Sequence, residues 1–363
     1  MRVTFLAPHA KISGGMRAAY MHAHLLAKRG HTVTVAVPLA PSLKRFLGNW
    51  FVRKPRWMRT FAARILWVPA WEERNLPDAD AVVATAWSSA EAAAFLSDRK
   101  GKKFYFIQHY EPLYHAKLPG HAAAAAATYA LPFRKIAISS WLREVLREKH
   151  GSESEVIVTP VDHELFYPDP NLYTSDPNLR THPNLQTEKK KTVRVLVLNH
   201  DAAWKGTAAG VRAVAEVKKQ FPGVRLVLFG SREKRPSYPC DEYHFNPPQE
   251  KLRALYSSCH IYLCSSEWEG LGMPGMEAMA CGAALVTYDT GGSRDYALDR
   301  RTAYVALHAD FADLTRKLSE AVGNAQGREV IAAEGQRFIR EHFASWERAA
   351  ARFEEILLDT RFD

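Results

Sequence analysis

Short apolar segments alternate with amphipathic helical segments along most of the chain, and this pattern predicts α/β domains. A strand at residues 3–7 is followed by a glycine pair, an apolar-periodic stretch from Met16 to Lys28 and a second strand at residues 33–37. Four further apolar runs, separated by helical stretches, continue the alternation to residue 158. The order is typical of a parallel sheet covered by helices on both faces.

Residues 168–191 interrupt this alternation with proline, asparagine, aspartate and lysine, and the tripeptide Pro-Asn-Leu occurs there three times. Proline lacks an amide donor and fixes φ, so we predict a linker. A second series of strands and helices follows it. We therefore expect a first domain at 1–167, a linker at 168–191, a second doubly wound domain at 192–340 and a terminal amphipathic helix within 341–363.

The composition is that of a folded globular protein. Of the 363 residues, 47% are hydrophobic, and this fraction excludes a wholly disordered or fibrous chain. The 49 Lys and Arg against 39 Asp and Glu give a net charge of +10. No apolar run reaches the roughly 18 residues of a membrane span, and the start does not fit a signal peptide, so we expect a cytoplasmic protein. The four cysteines fit no zinc or redox spacing, and we expect no metal.

Glycines at 270, 272 and 275 form a GxGxxG pattern, which in a dinucleotide-binding domain opens a long helix. The helix that follows here is too short for that, and Pro274 interrupts the pattern. The same segment places Glu269 and Glu277 on either side of a glycine loop. Loop amides at a helix N-terminus suit a diphosphate, and carboxylates suit sugar hydroxyls. The alternative is that both are ordinary loop and helix acids.

Residues 255–282, which read LYSSCHIYLCSSEWEGLGMPGMEAMACG, closely resemble the signature of the retaining GT-B glycosyltransferases of family four. The similarity extends over nearly the whole chain through shorter motifs: Gly14-Gly15, Val161-Asp162, Lys205-Gly206, Gly230, Gly291-Gly292 and Phe343-Ala344-Ser345-Trp346-Glu347. The resemblance implies the GT-B fold, with two doubly wound Rossmann-like domains facing a central cleft and the C-terminal helix crossing back to the first domain.

The resemblance also implies roles for individual residues. Glu269 would bind hydroxyls of the donor sugar, Glu277 the ribose, and Lys205 the departing diphosphate, a task that suits a compact ammonium group. The remaining donor-side residues implied in the same way are Gly270, Leu271, Gly272, Met273, His200, Gly14, Gly15 and Gly230. His200 stands where the family usually has an arginine.

His109 follows an apolar strand at the position of a family histidine near the donor sugar and the acceptor. The resemblance therefore implies that His109 is catalytic, together with Glu269 and Lys205. The alternative is a loop histidine bonded to the backbone. Glu111, on the same loop, is a lesser candidate.

Residues 41–71 contain seven Lys and Arg, no acid, and four tryptophans. Cationic residues with interfacial aromatic rings suit an anionic membrane surface or a lipid-linked acceptor, and we expect these contacts from Arg53, Lys54, Arg56, Arg59 and Trp57. Nucleic acid is a second possible partner, and an insertion whose aromatics pack inside is a third interpretation.

The resemblance therefore implies a metal-independent glycosyltransferase that retains anomeric configuration and transfers a hexose or deoxyhexose. The donor is a nucleotide-diphosphate sugar, used as a co-substrate without further cofactors, and the acceptor is a glycan or a lipid-linked hydroxyl in bacterial surface polysaccharide synthesis. The expected location is the cytoplasm, at the inner face of the membrane, with no nucleic acid bound. The alternatives are a catalytically silent sugar-nucleotide-binding protein and a basic nucleic-acid-binding protein.

Overall fold

The computed structural model divides the chain into two compact units. Unit 1 comprises Met1–Thr159 and Trp346–Asp363, and unit 2 comprises Pro160–Ser345. The structure describes residues 1–10, 14–39, 60–116, 118–169, 192–231, 234 and 236–359. Most of the predicted linker, residues 170–191, lies outside the described residues.

Residues 160–169 belong to unit 2, although the sequence predicted that the first domain extends to residue 167. The Val161 amide donates a hydrogen bond to the Phe343 carbonyl at 2.9 Å, and the Asp169 amide donates to Ser257 Oγ at 3.1 Å. These bonds attach the segment to unit 2, so the boundary falls after Thr159.

A parallel sheet forms the centre of unit 1. Its strands within the described residues are β1 (Arg2–Leu6), β2 (Thr32–Pro38), β3 (Arg64–Val68), β4 (Ala81–Ala84), β5 (Lys102–Ile107), β6 (Arg134–Ala137) and β7 (Glu155–Val156). The helices of the same segment are α1 (Gly14–Lys28), α2 (Trp87–Ala94), α3 (Glu111–Tyr114), α4 (Pro119–Thr128) and α5 (Ser140–His150). The strand order is β3-β2-β1-β4-β5-β6-β7, and all four residues of β4 are buried, as expected for a central parallel strand.

Unit 2 contains a second parallel sheet. Its described strands are β8 (Val193–Leu198), β9 (Val224–Gly230), β10 (Glu242–Phe245), β11 (Ile261–Cys264), β12 (Ala284–Tyr288) and β13 (Tyr304–Ala306). Its helices are α6 (Thr207–Gln220), α7 (Gln249–Ser258), α8 (Met273–Ala280), α9 (Phe311–Gly323) and α10 (Ala325–His342). The order is β10-β9-β8-β11-β12-β13, which confirms the predicted pair of doubly wound α/β folds.

The neighbouring strands β8 and β11 determine where the polar loops of unit 2 meet. They pair in parallel register, with Ile261 opposite Val195 and Leu263 opposite Val197. Because parallel strands end at the same edge of a sheet, the loops that follow β8 and β11 lie side by side.

The last helix, α11 (Trp346–Leu358), belongs to unit 1. The Phe353 ring lies 5.9 Å from the Phe5 ring and 5.6 Å from the Phe106 ring, measured between centroids. Arg29 Nε donates a hydrogen bond to Glu354 at 2.7 Å. Aromatic packing therefore attaches α11 to the sheet, and the ion pair attaches it to the residue that follows α1.

His22 of α1 is fully buried among the aromatic residues at this junction. Its ring centroid lies 4.6 Å from that of Phe353, 5.3 Å from that of Phe106 and 5.6 Å from that of Trp346. Burial lowers the pKa of His22 to about 3, because the apolar surroundings disfavour the imidazolium ion. His22 is therefore a neutral packing residue at neutral pH.

Candidate functional site

Two loops of unit 2 interlock at the carboxyl ends of β8 and β11. The Glu267 amide donates a hydrogen bond to the Trp204 carbonyl at 2.8 Å. Gly206 has φ +64°, and a Cβ atom added there would lie 2.0 Å from the Ser265 carbonyl oxygen. Only glycine permits both the left-handed backbone and this close approach. The Lys205-Gly206 motif therefore fixes one loop against the other.

Lys205 and Glu269 form an ion pair across these loops. Lys205 Nζ lies 2.6 Å from Glu269 Oε1, and the two side chains are only 14% and 11% exposed. The backbone of Glu269 is held from the β12 side, because its amide donates to the Thr290 carbonyl and its carbonyl accepts from the Gly292 amide. Two residues that are far apart in the sequence are thus placed together in a site largely shielded from water.

The glycine loop after Glu269 leads into helix α8. Gly272 has φ +89°, and an added Cβ would lie 2.6 Å from the hydroxyl oxygen of Tyr296, which donates a hydrogen bond to the Gly272 carbonyl at 3.0 Å. Within the described residues, no oxygen accepts a hydrogen bond from the amides of Gly270, Leu271 or Gly272. These donors and the positive end of the helix dipole favour an anion here.

The other predicted residues of this segment lie on α8. Met273 begins the helix, and Glu277 is buried in it. The hydroxyl of the buried Tyr256 donates a hydrogen bond to Glu277 Oε2 at 3.4 Å, and burial raises the pKa of Tyr256 well above its usual value. Glu277 therefore lies on the helix that follows the glycine loop, one turn after Met273.

His200 follows the end of β8, and Gly230 is the last residue of β9. Nδ1 of His200 lies 3.0 Å from the Ala202 amide, which donates to it, and 3.1 Å from Asp201 Oδ1. A Cβ added at Gly230 would lie 2.3 Å from the Asn199 carbonyl oxygen, so glycine allows these strand ends to approach closely. Both residues thus lie at the carboxyl ends of the strands, on the side of the sheet where Lys205 lies.

The predicted residues of unit 1 lie at the corresponding edge of its own sheet. His109 is 6% exposed, its ring contacts the Tyr114 ring with centroids 3.9 Å apart, and its carbonyl accepts from the Tyr129 hydroxyl. Gly14 begins α1, and a Cβ added at Gly15 would lie 2.2 Å from Oε1 of Gln108. The glycine pair and the His109 loop are therefore close together.

Glu111 was only a lesser candidate in the sequence, yet it has a structural position of its own. Its carboxylate accepts hydrogen bonds from the Trp87 amide at 3.0 Å and from the Tyr105 hydroxyl at 3.1 Å. Burial raises the pKa of Glu111 to about 7. Glu111 thus connects the His109 loop to the start of α2, a contact that no sequence pattern indicated.

The segment 41–71 is described only from residue 60 onwards. Its predicted membrane or acceptor residues Arg53, Lys54, Arg56, Arg59 and Trp57 lie outside the described residues. The described part includes β3, which the sequence did not predict.

Among the described helices, none is long and apolar enough to cross a membrane. In the same described parts, no cluster of three or more His, Cys, Asp or Glu residues could hold a metal ion.

Two family models match most of the chain. Residues 180–338 match the model described as Glycosyl transferases group 1, and residues 12–165 match Glycosyltransferase Family 4. The resemblance of residues 255–282 to family-four glycosyltransferases is thereby confirmed.

Two curated relatives match at low identity. The chain is 29% identical over 290 residues to the O-antigen biosynthesis protein RfbC of Myxococcus xanthus. This aligned region covers 78% of this chain and 21% of RfbC. It is 34% identical over 151 residues to the alpha-maltose-1-phosphate synthase of Mycolicibacterium smegmatis. This aligned region covers 39% of this chain and 35% of the synthase. The chain thus spans a fifth to a third of the length of these relatives.

Solved structures resemble the whole chain. The structure of Anabaena HepE in complex with UDP and glucose superposes on this chain with a TM-score of 0.74 at 16% identity. The superposition covers 98% of this chain and 99% of HepE. Sucrose-phosphate synthase from Thermosynechococcus elongatus has a TM-score of 0.71 at 14% identity, with 98% of each chain covered. At such identities the similarity concerns the fold.

Proposed function

Because this chain belongs to the family-four glycosyltransferases of the GT-B fold, we propose that it transfers a sugar from a nucleotide-diphosphate donor to an acceptor hydroxyl with retention of anomeric configuration. The acceptor is a glycan or a lipid-linked saccharide, the sugar is a hexose or deoxyhexose, and no metal ion takes part. The donor binds unit 2.

The observation that carries this proposal is the Lys205–Glu269 pair beside the glycine loop. One ammonium group, three loop amides without an acceptor in the described structure and the start of α8 offer positive charge and donors to a diphosphate. The carboxylates of Glu269 and Glu277 offer acceptors to sugar and ribose hydroxyls. A nucleotide-diphosphate sugar has these groups in this order.

In the proposed mechanism the leaving diphosphate itself removes the acceptor proton. The bond from the anomeric carbon to the diphosphate oxygen breaks, the acceptor oxygen bonds to the same face of the sugar, and its proton passes to a diphosphate oxygen. Lys205 and His200 stabilise the charge that develops on the diphosphate, and the catalytic role of His109 stays a prediction from the resemblance. The protein thus contributes positioning and charge stabilisation.

The relatives suggest where such a reaction takes place. RfbC is named for O-antigen biosynthesis, and the HepE structure contains UDP and glucose. We propose a cytoplasmic enzyme of bacterial surface polysaccharide synthesis, with UDP-sugars as the first donors to assay.

Nucleotide binding tests the donor site directly. A nucleoside diphosphate at 100 times its Kd should stabilise the native state by about 2.7 kcal/mol, which raises Tm by a few degrees. We expect a shift with one of UDP, GDP, dTDP or ADP that persists in EDTA. Glu277→Gln should reduce it, whereas Glu148→Gln, an exposed position on α5, should not. No shift with any diphosphate would contradict the proposal, and binding without turnover would favour the silent sugar-nucleotide binder.

Membrane association of the segment 41–71 stays a prediction from the sequence. Each cation near an anionic surface contributes about 1 kcal/mol, so we expect co-sedimentation with anionic vesicles that salt weakens. Changing Arg53, Lys54, Arg56 and Arg59 to Gln should abolish it while nucleotide affinity stays unchanged. Unaltered sedimentation, or loss of nucleotide binding instead, would contradict the acceptor-side interpretation. Salt-sensitive oligonucleotide binding would favour the nucleic-acid alternative.

A further inference from the structure

The indole ring of Trp204 faces the ammonium group of Lys205. Lys205 Nζ lies 4.3 Å from the centroid of the ring and 2.6 Å from Glu269 Oε1. A cation within about 6 Å of an aromatic centroid is attracted by the ring quadrupole, and tryptophan is the strongest such partner. The ammonium therefore has two partners of different kinds, a carboxylate and an aromatic face.

The backbone that carries Trp204 is fixed. Residues Ala203–Lys205 form a 3₁₀ turn, in which the Lys205 amide donates to the Ala202 carbonyl at 3.0 Å. The Trp204 carbonyl accepts from the Glu267 amide, two residues before Glu269 in the neighbouring loop. The ring thus extends from a turn anchored to the loop that carries the other partner of the ammonium.

These two partners interact with the ammonium in different ways. Glu269 occupies one of its three N–H donors, and the flexible stem of lysine lets the ammonium turn its donors towards another acceptor. When a donor sugar takes the Glu269 carboxylate and a diphosphate takes the ammonium, the ion pair weakens. The aromatic face attracts the charge without accepting a hydrogen bond from a particular N–H group. All three N–H donors can therefore bind oxygen atoms of the ligand while the contact with the ring is kept.

We propose that Trp204 is a positioning residue whose ring holds the Lys205 ammonium in place while a diphosphate replaces Glu269 as the partner of that ammonium. The role of the ammonium in donor binding rests on the proposed function. The contact between ring and ammonium in the ligand-free protein does not depend on it.

Fluorination of the indole ring tests this role without changing its shape. Fluorine withdraws electron density from the ring face, so 5-fluoro- and 5,7-difluorotryptophan introduced at position 204 should lower kcat stepwise. Trp204→Leu should lower kcat about tenfold, equivalent to about 1.4 kcal/mol, with a smaller change in the donor KM, and Trp204→Phe should recover part of the loss. Equal rates throughout the fluorinated series would overturn the proposal.

Two controls separate positioning from a structural role. The same fluorinated residues at Trp141 of unit 1, a buried residue of α5, should leave kcat unchanged. In a Lys205→Gln background, Trp204→Leu should cause no further loss, because the cation is already absent. An equal loss in both backgrounds would mean that the ring acts on the fold instead, which overturns the proposal.

The ring contact is also measurable in the ligand-free protein. With selectively labelled lysine, the ε-methylene protons of Lys205 should show an upfield ring-current shift that Trp204→Leu removes. Unshifted protons in the wild type would overturn the positioning role whatever the protein binds. Shifted protons in a protein that binds no nucleoside diphosphate and transfers no sugar would overturn the proposed function, and the positioning role with it.

Discussion

Replacing Lys205 by alanine is expected to slow sugar transfer about a hundredfold. Loss of one group that stabilises charge mainly in the transition state costs about 3 kcal/mol. Lys205 is suited to that task because its ammonium group lies in a largely shielded site, 2.6 Å from Glu269, where charges interact more strongly than in water. Steady-state kinetics with the donor found by nucleotide screening measure the effect, and kcat should fall more than KM rises.

Stability has to be separated from catalysis in this experiment, because removing one partner of a shielded ion pair leaves the other charge uncompensated. The double variant Lys205→Gln with Glu269→Gln removes both charges, so it should recover thermal stability relative to either single variant and stay inactive. Lys218→Ala is the matched control, since Lys218 is a lysine of α6 in the same unit, paired with Asp241. Wild-type transfer by a folded Lys205→Ala variant would place the donor site elsewhere.

Gly206→Ala is expected to destabilise unit 2 far more than an equivalent change at a glycine in open space. Gly151, the C-terminal cap of α5, has φ +58° and ψ 27°, close to φ +64° and ψ 24° at Gly206. Alanine costs roughly 1–2 kcal/mol in this left-handed conformation. A Cβ at Gly151 contacts nothing within 4 Å, whereas one at Gly206 would lie 2.0 Å from the Ser265 carbonyl oxygen.

The difference between the two variants should therefore be about 1–3 kcal/mol, as for an overpacked core. Hydrogen exchange measured separately for each unit is the appropriate readout, because a chain of two units need not unfold in one step. Gly206→Ala should also weaken nucleotide binding, since the displaced loop carries Lys205. Similar losses of stability for both variants would show that the two loops can move apart, and would argue against a rigid site.

Central strands were predicted well from the sequence, whereas three of the four edge strands of the described sheets were not. The fourth, β7, overlaps the predicted apolar run at 156–158. The apolar runs at 81–84 and 261–264 predict strands, and these bounds are those of β4 and β11 at the centres of their sheets. The missed β3 and β10 both lie at sheet edges. An edge strand pairs on one side only and is free to carry polar residues, as β10 does with the sequence EYHF. The missed β13 also lies at an edge and has only three residues.

The site could be predicted where it is continuous in the sequence. The glycine loop, Glu269 and Glu277 fall within one short segment, so their proximity could be predicted from spacing, whereas their contact with a diphosphate and its sugars stays a prediction. The pairing of Lys205 with Glu269 spans 64 positions and follows from the adjacency of β8 and β11, which no local pattern encodes. The ring of Trp204 was overlooked because a single tryptophan beside a lysine has no periodic signal.

The placement of α11 in unit 1 determines the order in which the chain can complete its cores during synthesis. Unit 2 is continuous from Pro160 to Ser345, whereas unit 1 needs residues from both sides of it. A growing chain has therefore made all of unit 2 before Phe353 exists to cover Phe5 and His22. Residues 1–159 are thus synthesised before unit 2 but complete their core after it, and until then the aromatic residues that Phe353 covers are open to misassembly on the nascent chain.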